Sequence, residues 1–122
     1  MFGLGLPVFI EDSRVPVFLS YFSPIEIGAI TLGPLVFSRG KISERTRRHE
    51  AIHWEQYKEL GVVLFPVLYF TFWLWNLVKF KDGMRAYYMI PFEREAYVND
   101  KDVGYLFRRK KWAWARKKKI NS

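Results

Sequence analysis

Three kinds of hydrophobic pattern follow one another along the chain. Positions 8–10, 15–22 and 27–37 are short runs of β-branched, aromatic and leucine residues, bounded or interrupted by Pro7, Pro16, Pro24 and the pair Gly33-Pro34. A proline cannot donate to a strand ladder, so this density predicts two to four short edge strands or irregular hairpins and disfavours a central strand. Ser38-Arg39-Gly40-Lys41 reads as the turn out of the last run. From Ser43 to Leu60 there is neither proline nor glycine and helix formers dominate. Ser43 offers an N-cap and Glu44 places a carboxylate in the first turn, so a helix of about 16 to 18 residues is expected.

Segment 61–78 then runs without a single charge. A polar-aromatic segment covers 79–88, and Pro91 stands where it can start a further helix over 92–102. Residues 105–119 could continue as a basic, aromatic helix. Strands first and helices afterwards predict an α+β domain.

Composition narrows the chemistry. Half of the 122 residues are apolar and 19% are aromatic, which excludes a disordered chain. Cysteine is absent, so disulfides, thiolate metal sites and cysteine nucleophiles are excluded while the redox compartment stays open. The apolar stretch 1–10 carries no basic residue and meets Glu11-Asp12 at once, so it does not read as a secretory signal.

The formal charge of +8 is unevenly placed. Eight basic residues and no acid follow from Arg108 onward, and removing them leaves 12 basic against 12 acidic residues. The chain therefore divides into a neutral domain, 1–107, and a basic tail, 108–122, in which Trp112 and Trp114 are interleaved with lysine and arginine. Such a tail suits anionic lipid headgroups, at up to ~1 kcal/mol per basic residue. Nucleic-acid binding is the less favoured use, and a solvated tail is the bland one.

The chemistry is carried by His49-Glu50-Ala51-Ile52-His53, an H-E-x-x-H pattern on the predicted helix. Residues i and i+4 share one helix face, so both imidazoles can reach one Zn²⁺. Glu50, offset from both, can reach a water in the open coordination position and act as general base. These are the only two histidines in the chain and cysteine is absent, so a carboxylate is the expected third ligand. Glu59 stands six residues after His53, where metzincins place their third histidine, but Gln56 replaces the glycine that turns the metzincin helix. On a continuing helix Glu59 is rotated about 120° from His53 and lies roughly 9 Å further along, out of reach.

Phe92-Glu93-Arg94-Glu95-Ala96-Tyr97 resembles the F-E-x-x-A-D segment of gluzincin-type peptidases, notably the HtpX-like and CAAX prenyl-protease family. The resemblance implies a zincin-like fold and makes Glu93 the zinc ligand, with Glu95 the main alternative. The family's aspartate, which supports a zinc-bound histidine, is replaced by Tyr97. Asp100 or Glu95 could take over that support, or Tyr97 could donate to an oxyanion, a role open also to Arg94 and Tyr57. More of the chain is similar to a group of small, uncharacterised H-E-x-x-H proteins of bacteria and bacteriophages: Ala29–Leu32, Arg48–His53 with Gln56, Ala86-Tyr87, Phe92–Tyr97 and Tyr105-Leu106 recur in order. Gln56 falls on the histidine face, either lining the cleft or as a plain surface residue.

A simple membrane span over 61–78 conflicts with this site. Eighteen residues rise about 27 Å, which would put His53 and Glu93 on opposite sides of a bilayer. A break or hairpin at Pro66 resolves the conflict, leaving a segment that dips into one leaflet or forms a soluble core. The sequence thus predicts a zinc metallopeptidase associated with a membrane surface at its cytoplasmic face, acting on a peptide or protein, with a soluble or virion-associated protein as the other location. The alternative function is a structural or partner-binding protein whose metal only staples the fold.

Overall fold

In the computed structural model, which describes residues 7–20 and 28–116, a small three-stranded sheet precedes a series of helices, an α+β arrangement. Strand β1 (Val8–Ile10) runs parallel to β3 (Leu35–Ser38), and β2 (Ala29–Leu32) pairs antiparallel with β3 in the order β1-β3-β2. Gly33-Pro34 closes the β2–β3 hairpin, with Leu32 opposite Leu35. Gly33 has φ +64°, a conformation that glycine adopts without penalty.

The run at 15–22 departs from the expected strands. Val15–Ser20 is a short helix, α1. Ser13 Oγ accepts from Val15 N at 3.0 Å, and Pro16 falls in the first turn, where its missing N–H costs nothing. These local signals outweigh the β propensity of the valines. Positions 21–22, the start of the run at 27 and the stretch 1–6 lie outside the described residues, as do 117–122 of the tail.

Helix α2 (Glu44–Leu60) matches expectation at both ends. The Ser43 side chain accepts from Thr46 N, and Gly61, at φ +94°, ends the helix with its N–H on the Tyr57 carbonyl. Helix α3 (Leu64–Phe80) follows after a bend of 111°. The break expected at Pro66 therefore sits at 61–63 instead. Pro66 is the third residue of α3, among the N–H groups with no intrahelical acceptor, so it is tolerated without a kink.

Helices α4 (Gly83–Tyr88) and α5 (Pro91–Asn99) return the chain to α2. Asp82 caps α4 and Pro91 opens α5. The core gathers Tyr57, Phe65, Ile90 and Phe92, with Trp114 packed against it. Of the two roles open to segment 61–78, it fills the soluble core only in part, since only Phe65 and Asn76 of α3 are buried.

The long basic helix expected at 105–119 is also broken up. Over its described part, 105–116, it reduces to α6 (Tyr105–Arg108), an extended Arg109, and a 3₁₀ turn at Ala113–Ala115 entered through Trp112 at φ +62°. The cause is a buried ion cluster. Arg109 donates to Glu59 at 2.7 Å and to Glu95 at 2.6 Å, and Trp112 N and Trp114 Nε1 add hydrogen bonds to Glu59. The first half of the basic segment is thus fastened to the body.

Candidate metal centre

Two helices converge to make the site. His49 and His53 stand one turn apart on the buried face of α2, and Glu93 faces them from the first turn of α5. His49 Nε2 lies 3.1 Å and His53 Nε2 3.2 Å from the same oxygen, Glu93 Oε1. All three side chains are buried and can offer ligand atoms within 4.8 Å of one another, so the group could hold a metal ion.

The neighbours fix which ring atoms face inward. His49 Nδ1 is 2.9 Å from Asp100 Oδ2, whose other oxygen accepts from Arg45 Nε at 2.8 Å. A carboxylate held this way accepts, so His49 Nδ1 carries the hydrogen. His53 Nδ1 is 2.8 Å from Gln56 Oε1. Gln56 Nε2 donates to the Phe92 carbonyl at 3.0 Å and to Glu95 Oε1 at 2.8 Å, which orients the amide and leaves its oxygen to accept from His53. Both neutral imidazoles would then aim an Nε2 lone pair at an anionic oxygen. Only protons on Nε2, or a cation between the three atoms, relieve that repulsion. The donor set therefore fits a divalent metal bound through two nitrogens and one carboxylate.

Electrostatics express the same demand. Burial alone would depress His53, but the Glu93 carboxylate overrides it and holds the imidazolium up to about 10. His49 is also raised: burial opposes, and the hydrogen bond to Glu93 prevails. Burial would raise Glu93, yet the two histidines keep it well below the usual carboxylate range.

The other sequence candidates separate cleanly. Glu59 and Glu95 belong to the Arg109 cluster, outside the His49–His53–Glu93 group, although Glu95 reaches the site indirectly through Gln56. Gln56 is fully buried, neither a surface residue nor part of the cleft lining. Asp100 supports His49. Tyr97 contributes its ring, 4.4 Å from that of His49 in an edge arrangement, while its hydroxyl pairs with Tyr87 at 2.8 Å. The Tyr57 hydroxyl is committed to the Thr31 carbonyl at 3.1 Å, and Arg94 is not among the residues that line the cleft.

Two contacts escaped the sequence. Tyr69 of α3 donates to Glu93 Oε2 at 2.6 Å, leaving Oε1 for the histidines. Thr31 of β2 donates to Glu50 Oε1 at 2.7 Å. A lone tyrosine deep in an apolar helix was the available signal for the first, because a buried phenol seeks a partner. Nothing local marks Thr31; its role depends on the placement of β2 beside α2.

The site opens into a cleft of about 1270 Å³. Glu50, Tyr87 and Tyr97 line it beside His49, His53 and Glu93, with β2 along one wall and Phe70 and Trp73 of α3 along another. Arg39, Lys41 and Arg45 add a basic end. No known protein family, curated protein or solved structure matches the chain, so what the site does is read from its own geometry.

Proposed function

We propose that the protein is a zinc-dependent metallopeptidase with a zincin-like arrangement. The observation that carries this reading is the convergence of His49 Nε2, His53 Nε2 and Glu93 Oε1 at a cleft that Glu50 also lines. A nitrogen-rich set completed by one carboxylate suits zinc better than magnesium or calcium, which prefer all-oxygen sites. Zinc bound there would polarise a scissile carbonyl and acidify a water.

The chain's own residues supply the rest. Thr31 holds the Glu50 carboxylate by one oxygen, fixing the base before substrate arrives. Glu50 would take a proton from the attacking water as its oxygen bonds to the carbonyl carbon. It would then deliver that proton to the departing amine nitrogen as the C–N bond breaks. Tyr97, which lines the cleft with its ring against His49, would turn its hydroxyl from its tyrosine partner to donate to the developing oxyanion. Among the described residues no strand pairs with the outer edge of β2, which lines the cleft. An extended peptide could add there by main-chain pairing. The Thr31 carbonyl is already taken by Tyr57, so pairing would centre on Ala29.

The test is hydrolysis of quenched fluorescent peptides by zinc-loaded protein beside Glu50→Gln. Cleavage by the wild type, with a loss of about 10²-fold or more in a variant that retains its zinc, supports the reading. Equal cleavage by both would exclude Glu50 as the base. Zinc retention without cleavage of any peptide would favour the alternative, a metal that staples the fold.

A further inference from the structure

We infer that the outer face of α3 docks on an anionic lipid bilayer, with the helix lying along the surface and the cleft mouth beside it. This goes beyond the peptidase reading and does not depend on it. The helix is apolar all round, but only one side is packed. Phe65, Tyr69, Phe72 and Asn76 face the protein, whereas Leu64, Val67, Phe70, Leu74, Trp75 and Val78 are exposed, Trp75 by 69% and Val78 by 73%. At 100° per residue these six fall within one arc of roughly 140°. The only polar residue in the arc is Thr71, whose hydroxyl is turned back onto the Val67 carbonyl at 2.7 Å. The turn leading in, Val62-Val63, is equally exposed. A helix facing water ordinarily carries charge on such a face.

Two observations choose lying over crossing. No single helix among the described residues is long and apolar enough to span a membrane. In addition, α3 is pinned to the domain along its length, by Tyr69 on Glu93 and by Asn76 Nδ2 on the Ala86 carbonyl at 3.1 Å. Threading it through a bilayer would break both contacts and the ligand set with them.

Charge selects the kind of surface. No acid occurs between Glu59 and Asp82, and Asp82 is occupied in capping α4. At the C-terminal end of α3, Lys79 Nζ lies 5.2 Å and the Arg85 guanidinium 4.5 Å from the Phe80 ring, with Lys81 between them in sequence. An apolar face with a cationic end matches acyl chains under anionic headgroups. Phe70 belongs both to this face and to the cleft lining, so the docked surface is continuous with the cleft. A chain segment leaving the bilayer would reach the metal site without crossing open water.

The experiment is flotation of the 122-residue protein with phosphatidylcholine vesicles, with and without about 30 mol% phosphatidylglycerol. It is run beside the triple variant Leu74→Ser, Trp75→Ser, Val78→Ser. All three side chains are exposed, and circular dichroism with a cooperative thermal melt establishes that the variant is folded. Wild-type protein is expected to bind the anionic vesicles preferentially, and the variant about tenfold or more weakly. Undiminished binding by the folded variant would assign attachment to the basic tail and overturn the inference. So would a wild type that ignores both vesicles and forms a dimer that the variant dissolves, which would give the face to a second copy. Equal binding to neutral and anionic vesicles would overturn the headgroup assignment.

Discussion

Glu93 is held from three sides, and each hold has a measurable share. His49 and His53 approach Oε1, while Tyr69 takes Oε2. Tyr69→Phe removes only the hydroxyl, so zinc affinity should fall by about 10- to 100-fold without loss of fold, as measured by competition with a chelator. Gln56→Leu should act similarly by releasing the His53 ring from its orientation. An unchanged affinity in both would mean that the histidines need no outside support.

The same residues set opposite pH responses for the two forms. In the metal-free protein His53 is raised from 6.5 to about 10, so its contribution to stability is full below 6.5 and is lost as pH rises toward 10. Glu93 is lowered from 4.5, so its contribution is present above 4.5 and lost on acidification through its depressed value. The metal-free fold is therefore held best between pH 4.5 and 6.5. Zinc must displace the Nε2 protons, so its apparent affinity should rise steeply between pH 6 and 8, by up to about two powers of ten per unit. Melting temperatures of chelated and zinc-loaded protein across this range should diverge as pH rises. Parallel curves would contradict the protonation scheme.

At the scale of elements, the joint between α2 and α3 decides where the apolar segment lies. Gly61 has φ +94° with open space around its Cβ position, so Gly61→Ala costs backbone strain alone, about 1 to 3 kcal/mol in a denaturant titration. Gly40 is equally open and has no positive φ, so Gly40→Ala is the neutral control. Much at this scale was legible in the chain. Ser43, Gly61 and Pro91 are local signals that act within a turn of themselves, and the helix ends they imply are where the structure has them. H-E-x-x-H spacing likewise encodes its own geometry. What could not be read depends on contacts remote in sequence. Pro66 looks like a breaker until the start of α3 is known, and the basic segment looks helical until Glu59 and Glu95 pull Arg109 into an extended conformation. Thr31 and Tyr69 are ordinary residues made important by their partners.

For the whole molecule, the division into neutral body and basic tail needs one amendment. Arg109 is almost fully buried between Glu59 and Glu95, and Glu95 in turn orients Gln56 against His53. The tail's first residues are thereby linked to the metal site. Arg109→Ala would strand two buried carboxylates and should destabilise the protein by about 3 kcal/mol or more, with zinc affinity falling alongside. Retained stability would mean that the cluster relaxes into water.

Metal analysis of purified wild-type protein beside Glu93→Ala decides whether His49, His53 and Glu93 together hold zinc. About one zinc per wild-type chain is expected after dialysis, and essentially none in the variant. A wild type without zinc, or a variant that keeps it fully, would mean that these three residues do not form the ligand set.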